Sequence, residues 1–421
     1  MRSDTIAANA RTASTTSHCP LIVHSHLRWD WVWQRPQQLL SRLATHAAVL
    51  FVEEPVFLDD VDAPSFALST PMPGVTRAIP QLPARLRDNA DAALEAVRAT
   101  LERALVAEPE LVGRFRDPVQ WFYTPMPAPV MLGAFGERGV VYDCMDELSK
   151  FRFAPKELLD REGMLLARAD VVFTGGYKLY ESKARHHDNV HFFGCGVDAA
   201  HFARARAAGT ALPDDVATLT HPVLGYFGVI DERLDYDLLR AVAEALPEAQ
   251  LVMVGPMAKV DPRELPHAAN VHWLGQRAYE QLPAYVKAFD VCLMPFALNE
   301  ATEYINPTKT LEYMAAAKPI VSTAVADVIR NFTPVVRVAG STSEFIAAVR
   351  TALDSLDPER IAAGVEQAQR ASWESIVGEM RRLIADAVAP AFTAIPTVAA
   401  REAKRGTARR SVETAEATAG D

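Results

Sequence analysis

Short apolar runs, each followed by a stretch with helical spacing, recur from residue 20 to about residue 390. In the first half, the runs at 20–26 (PLIVHSH), 48–53, 75–79, 119–124 (VQWFYT), 140–143 (VVYD) and 169–174 (ADVVFT) are short enough to be buried strands. Leu39, Leu40 and Leu43 mark one face of a helix over 35–46, and Leu94, Val97, Leu101 and Leu105 one face of a helix over 86–107. A further helix is expected at 177–187. In the second half, strands are expected at 223–229, 251–255, 271–275, 291–296, 319–322 and 335–338. Helices are expected up to 245, at 279–288, 307–317, 343–356, 358–370 and, strongly amphipathic, at 373–388. This alternation predicts an α/β protein with parallel, doubly wound sheets. A chain of 421 residues accommodates two such domains. The boundaries read as a disordered leader at 1–17, a first domain at 18–200, an Ala-, Gly- and polar-rich linker at 201–221, a second domain at 222–372, a terminal helix at 373–392 and a disordered tail at 393–421.

The stretch 290–323, DVCLMPFALNEATEYINPTKTLEYMAAAKPIVST, reads as strand, long polar loop, helix, strand. Asn306 suits an N-cap and Pro307 the first helical position, while Pro319 ends the segment. The first turn of a helix carries unpaired amides and the positive end of the macrodipole, which suits phosphate. Lys309 adds charge there, and Glu312 can accept hydrogen bonds from a diol. A Lys309–Glu312 ion pair on a plain surface helix is the competing reading. The loop is longer than the roughly 2–6 residues usual between strand and helix, which favours function.

Other candidate groups cluster at strand ends. Trp29, Trp31 and Trp33 surround Asp30 and either stack on sugar rings or pack a domain edge. Asp143 and Asp146 follow the 140–143 strand; a carboxylate there could take a proton from a hydroxyl or cap the next helix. Gly228 ends the 223–229 strand and allows close backbone approach. Arg233 is the nearest cation to it, free to grip phosphate or to pair with Glu232 or Asp235.

Composition narrows the classes. An apolar content of 49% and a charged content of 23% are those of a globular protein, and a net charge of −10 argues against broad nucleic-acid binding. Cys19, Cys144, Cys195 and Cys292 lack metal-site spacing and read as reduced thiols. No carboxylate pair has metal-ligand spacing, so no metal or other cofactor is expected. No apolar run reaches the ~18–20 residues of a spanning helix, and no secretory signal is visible. A cytoplasmic location follows, with peripheral contact at the inner membrane face left open.

The 307–321 stretch resembles the nucleotide-sugar site of retaining glycosyltransferases with the GT-B architecture, whose two Rossmann-like domains face a central cleft. Pro307, Lys309, Glu312, Tyr313, Met314, Ala315, Pro319, Ile320 and Val321 fit the family's pattern. SHLRWDWVWQRPQQLL (25–40) and VYDCMDEL (141–148) resemble bacterial members linked to exopolysaccharide or teichuronic-acid synthesis, and GVDAAHF (196–202) resembles the family's interdomain hinge. The resemblance implies transfer of a sugar from a nucleotide-diphosphate sugar to a hydroxyl acceptor, with retention and without a metal. A lipid-linked glycan would be one such acceptor. It implies Glu312 on the donor ribose, Gly228, Arg233, Asn306, Thr308 and Lys309 at the diphosphate, and Gly275, Gln276 and Arg277 at the base. It implies His26, Asp143 and Asp146 at the reacting centre, and Arg28, Trp29, Asp30, Gln34, Arg35 and Glu303 on the acceptor side. It also implies a terminal helix crossing back to the first domain. Four departures stand out. The strand at 119–124 runs into TPMP (124–127), where the family often has a cleft histidine. Tyr304 occupies the place of an earlier glutamate, with Glu303 one residue off. Val229 replaces an expected arginine, and Ala317 or Lys318 the usual glycine. A nucleotide-sugar 2-epimerase of the same fold and a non-catalytic, transferase-like scaffold subunit are the alternatives.

Overall fold

A computed structural model describes residues 19–300 and 302–388. The expected leader at 1–17, the expected tail at 393–421 and residues 389–392 of the expected terminal helix lie outside the described residues.

The first half folds around one sheet: β1 (Leu21–His24), β2 (Val49–Val52), β3 (Val56–Leu58), β4 (Ser65–Met72), β5 (Val75–Pro83), β6 (Val119–Phe122), β7 (Gly139–Cys144), β8 (Val171–Thr174) and β9 (Val190–Phe192). The order is β3-β5-β2-β1-β6-β7-β8-β9, with β4 on β5. All pairings are parallel except β4 with β5. Successive side chains of a strand point to opposite faces, and here both faces are covered. Ile22, Leu50 and Phe122 pack with Val97 and Leu101 of the helix Ala90–Ala107. Leu21, Val23 and Phe51 pack on the other side with Leu39 and Leu40 of the helix Arg35–Leu43. That burial explains why the central strands read as continuous apolar runs.

The second half forms a six-stranded parallel sheet from β10 (Val223–Phe227), β11 (Gln250–Val254), β12 (Val271–Gly275), β13 (Val291–Met294), β14 (Ile320–Thr323) and β15 (Arg337–Ala339), in the order β12-β11-β10-β13-β14-β15. In each sheet the order reverses beside the first strand, between β1 and β6 and between β10 and β13. Open parallel sheets bind ligands at such reversals, beyond the carboxyl ends of the strands. The loops leaving β1, β10 and β13 contribute to a common cavity between the domains.

The chain crosses between domains twice at one place. The Val197 N–H donates to the Ala371 carbonyl at 2.8 Å, and Val197 bridges Ser372. Beyond that point the helix Trp373–Val388 lies on the first sheet, with Trp373, Val377 and Met380 buried in its core. Burying Trp373 alone stabilises this return by about 3 kcal/mol or more. The segment 201–221 is not a loose linker. Phe202, Ala205 and Val216 belong to the second domain's core, because its short helical turns present apolar faces to that sheet.

Candidate functional site

The helix after the long loop runs Lys309–Ala315 and starts later than its sequence suggests, with Thr308 rather than Asn306 at the cap. The reason is tertiary. The Asn306 side-chain amide donates to the Gly175 carbonyl of the first domain at 3.2 Å, which turns the side chain toward that domain, and its Oδ1 is buried with no partner among the described residues rather than accepting from the helix amides. The Asn306 carbonyl accepts from the Cys195 thiol at 3.1 Å, and the Thr308 hydroxyl donates to the Cys195 sulfur at 3.1 Å. Among the described residues, the amides of Thr308 and Lys309 have no backbone acceptor.

These residues wall a cavity of about 690 Å³ between the domains. The Lys309 side chain ends against Gly228, just past β10. Its ammonium lies 5.4 Å from the Tyr226 ring centroid and 6.0 Å from that of Phe296. Gly228, at φ +140°, leaves the space this ammonium fills. Burial, and next the positive charge of Arg233, lower the affinity of Lys309 for its proton. Burial pushes the Glu312 carboxyl well above the usual range, with Lys309 pulling it back down. Arg233 also lines the cavity, but its fork is held by Asp231, Nε to Oδ1 at 3.0 Å and Nη2 to Oδ2 at 2.7 Å. Sequence spacing suggested Glu232 or Asp235 as its surface partner; the actual one is Asp231. Among the described residues Nη1 of Arg233 has no acceptor, so one face of the guanidinium stays available to a ligand.

The first domain faces these cations with Asp146. Its carboxylate lines the cavity and makes no side-chain hydrogen bond among the described residues. Burial pushes its pKa up to about 6, with Arg233 pulling it down and Asp231 pushing it up. Asp143, three residues earlier, is different. It is fully buried, does not line the cavity, and accepts from Arg35 Nε at 3.1 Å and Nη2 at 2.8 Å. Its expected place at the reacting centre is therefore corrected to that of a support beneath Arg35, which lines the cavity and donates to the Phe193 carbonyl at 3.0 Å.

Several expected site residues lie elsewhere. His26 is not on the cavity wall. Burial, and next Lys259, bring its ring down to about 4, so it stays neutral at ordinary pH. Arg28 donates to Glu53 at 3.0 Å and to the Glu54 carbonyl at 2.6 Å, away from the cavity. Glu303 is exposed, 3.7 Å from Lys178, and points outward. Gly275 is off the wall, its carbonyl accepting from the Gly255 N–H at 2.9 Å. Gln276, Arg277, Trp29, Asp30 and Gln34 do line the cavity. Arg277 is committed to Asp215 at 2.8 Å and to the Tyr285 hydroxyl at 2.6 Å. Asp30 pairs with Arg77. Trp29 packs edge-on against Phe51 and Trp33, at 5.1 and 6.2 Å, so that indole serves packing rather than open stacking.

Sequence reasoning missed Tyr279 and Gln38. Tyr279 stacks on His201 at 4.4 Å, faces Trp33 at 6.0 Å, and accepts from the Gln38 amide at 3.1 Å. It also missed Cys195; the flanking glycines of Gly-Cys-Gly were the available sign of a crowded turn.

Among the described residues, no group of three or more His, Cys, Asp and Glu side chains is placed to hold a metal ion, and no helix is long and apolar enough to cross a membrane. Two facing Rossmann-like domains with a cavity at both sheet reversals define the GT-B fold.

The comparisons agree with that class. The family model described as Glycosyl transferases group 1 matches residues 221–355, which hold the Lys309–Glu312 side of the cavity. A Bacillus subtilis (strain 168) protein named as a teichuronic acid biosynthesis glycosyltransferase, TuaH, is 27% identical over 222 residues, covering 48% of this chain. The matched stretch spans about half of that curated relative, 54% of its length. The sucrose-phosphate synthase structure from Thermosynechococcus elongatus superposes with a TM-score of 0.63 at 17% identity, covering 87% of this chain and 98% of that one. A UDP-forming α,α-trehalose-phosphate synthase from Burkholderia xenovorans gives 0.63 at 14% identity, covering 89% and 100%. The chain has the GT-B fold, and its residues 221–355 match the group 1 glycosyltransferase family.

Proposed function

We propose that the protein transfers a sugar from a nucleotide-diphosphate sugar to an acceptor hydroxyl, with retention at the anomeric carbon, in the synthesis of a cell-surface polysaccharide or glycolipid. One observation carries the reading. Asp146 of the first domain and Lys309 of the second line the same cavity, with Arg233 beside them.

Cleaving a sugar–diphosphate bond builds negative charge on the leaving phosphates. Preorganised donors in a partly desolvated site stabilise such charge best. Lys309, the free amides of Thr308 and Lys309, and Nη1 of Arg233 supply that stabilisation without a metal. Glu312, one turn further, accepts from the ribose hydroxyls, and Gln276 and Arg277 flank the base. The acceptor hydroxyl sits against Asp146, which is ionised above about pH 6 and can orient that hydroxyl and draw off its proton. Arg35, Gln34 and Trp31 border this side. The B. subtilis relative is named for teichuronic acid biosynthesis, which supports a surface-polymer role.

A thermal-shift panel of UDP-, GDP- and dTDP-sugars on the wild type and on Glu312→Ala tests the reading. At least one donor should raise the melting temperature of the wild type, and the substitution should remove most of that rise. No shift with any donor, or equal shifts in both proteins, would sink it.

A further inference from the structure

We propose that Glu147 is a positioning residue: gripped by Lys183, it fixes the loop from which Asp146 enters the cavity. The inference rests on the role given to Asp146 above and concerns what aims that carboxylate.

Asp146 depends on its backbone for direction, because its side chain makes no hydrogen bond among the described residues. That backbone is weakly tied on its own. Among the described residues the amides of Met145, Asp146 and Glu147 have no backbone acceptor, and the Asp146 carbonyl accepts from the Cys144 thiol at 3.5 Å.

The next residue supplies the anchor. Glu147 is buried; its Oε2 accepts from the Lys183 ammonium at 2.9 Å and its Oε1 from the Ser149 hydroxyl at 3.0 Å. The Lys150 N–H closes the turn on the Glu147 carbonyl at 2.9 Å. Lys183 ends the helix Tyr177–Lys183. It is held in turn by Glu162, which accepts from it at 2.9 Å and from the Tyr142 hydroxyl at 2.6 Å.

Folding does not account for this cluster. One cation and two carboxylates are taken out of water, and a buried ion pair is weak evidence for stability, since apolar side chains of like volume often serve as well. What the cluster does supply is a fixed register between the two sides of the cavity. Two residues before the helix, the Gly175 carbonyl accepts from Asn306 of the donor side at 3.2 Å. A methyl group on Gly175 would stand 3.1 Å from the Met145 carbonyl, so the Asp146 loop lies directly on this point. The Asp146 loop is thus packed near the start of the helix, beside the donor wall, and gripped at its end by Lys183. Groups that must meet across a cleft gain most from such placement, where an error of about 1 Å costs about 10²-fold in rate.

Glu147→Ala tests the proposal, because it frees the loop yet leaves Lys183 balanced by Glu162. The melting temperature shows that the variant folds, and Glu147→Met, which fills the space, replaces it otherwise. Hydrogen–deuterium exchange should rise about tenfold or more at 145–150 and stay unchanged in the helix Ala90–Ala107. Turnover is read as nucleoside-diphosphate release from the best donor of the panel above, with water as acceptor. Its kcat should fall about tenfold or more, with KM for the donor within about twofold. Glu147→Gln, whose amide oxygen still accepts from Lys183, should recover most of the rate. Asp146→Asn combined with Glu147→Ala should be as slow as Asp146→Asn alone, within about twofold, because the loop then has no carboxylate to aim. Unchanged exchange, unchanged kcat in Glu147→Ala, or losses that multiply in the double variant would each overturn the proposal. Failure of the underlying reading looks different: Asp146→Asn would itself keep the wild-type kcat, and the proposal would fall with it.

Discussion

Gly228 and the Lys309 ammonium occupy what would otherwise be the same space: a methyl group on Gly228 would stand 2.6 Å from Lys309 Nζ and 2.1 Å from its Cε. The glycine also holds φ +140°, which other residues adopt only with strain. Gly228→Ala should therefore displace the lysine from its seat over Tyr226 and Phe296. We expect donor affinity to fall about tenfold or more, the loss of one charge-assisted contact to phosphate. Calorimetric titration with the best donor checks this. An unchanged dissociation constant would mean that Lys309 does not meet the ligand from this position.

Asp146 should separate chemistry from binding. With Asp146→Asn, kcat should fall about 10²-fold or more, while donor affinity stays within about twofold. The wild-type rate should have an acid limb near pH 6 that the variant lacks. Stability gives a second readout. The folded pKa of about 6 lies above the ordinary 3.8, so the folded state holds the proton more tightly and is favoured at low pH. That advantage is lost as pH rises through about 6. The asparagine variant should thus be more stable than the wild type at pH 8, by on the order of 3 kcal/mol, and similar to it below pH 4. Denaturant unfolding at both pH values decides the matter.

The architecture was legible because parallel strands buried on both faces leave unmixed apolar runs. VHWLG reads as a strand, and β12 has the same limits, Val271–Gly275. The edge strand β4, SFALSTPM, escaped notice because none of its residues is buried and no alternation marks it. The site was legible where its chemistry is local: Asn306, Thr308, Lys309 and Glu312 lie within two turns of chain and share one wall. It was not legible where partners are distant. Asp143 and Asp146 leave the same strand end three residues apart, and only Arg35, 108 residues from Asp143, decides which one turns inward. Asn306 was misread as a cap because its partner, Gly175, belongs to the other domain.

The Asp143–Arg35 pair leads to a contrasting expectation. Both side chains are buried and bonded through two nitrogens of the arginine. Removing one partner leaves an uncompensated buried charge, typically at a cost of about 3–5 kcal/mol. Asp143→Asn should lower the urea midpoint strongly and reduce donor binding and turnover together, unlike Asp146→Asn. A stable Asp143→Asn with a selective loss of kcat would instead return Asp143 to the reacting centre.

Ala317 offers a test on stability alone. The family pattern that the 307–321 stretch resembles has a glycine after the Ala-rich run, where this chain has Ala317 and Lys318. The helix Lys309–Ala315 nevertheless ends with Ala317 at φ +58°, and the Lys318 N–H donates back to the Tyr313 carbonyl at 3.1 Å. That is the closing turn in which glycine is favoured, because a Cβ is strained there. Glycine loses more chain entropy on folding, which offsets part of the relief. The balance predicts that Ala317→Gly stabilises the protein by about 0.5–1 kcal/mol without changing donor affinity, since the turn lies at the far end of the helix from the cavity. Thermal unfolding measures the gain. A lower melting temperature in the glycine variant would show that the Ala317 methyl contributes packing that outweighs its strain.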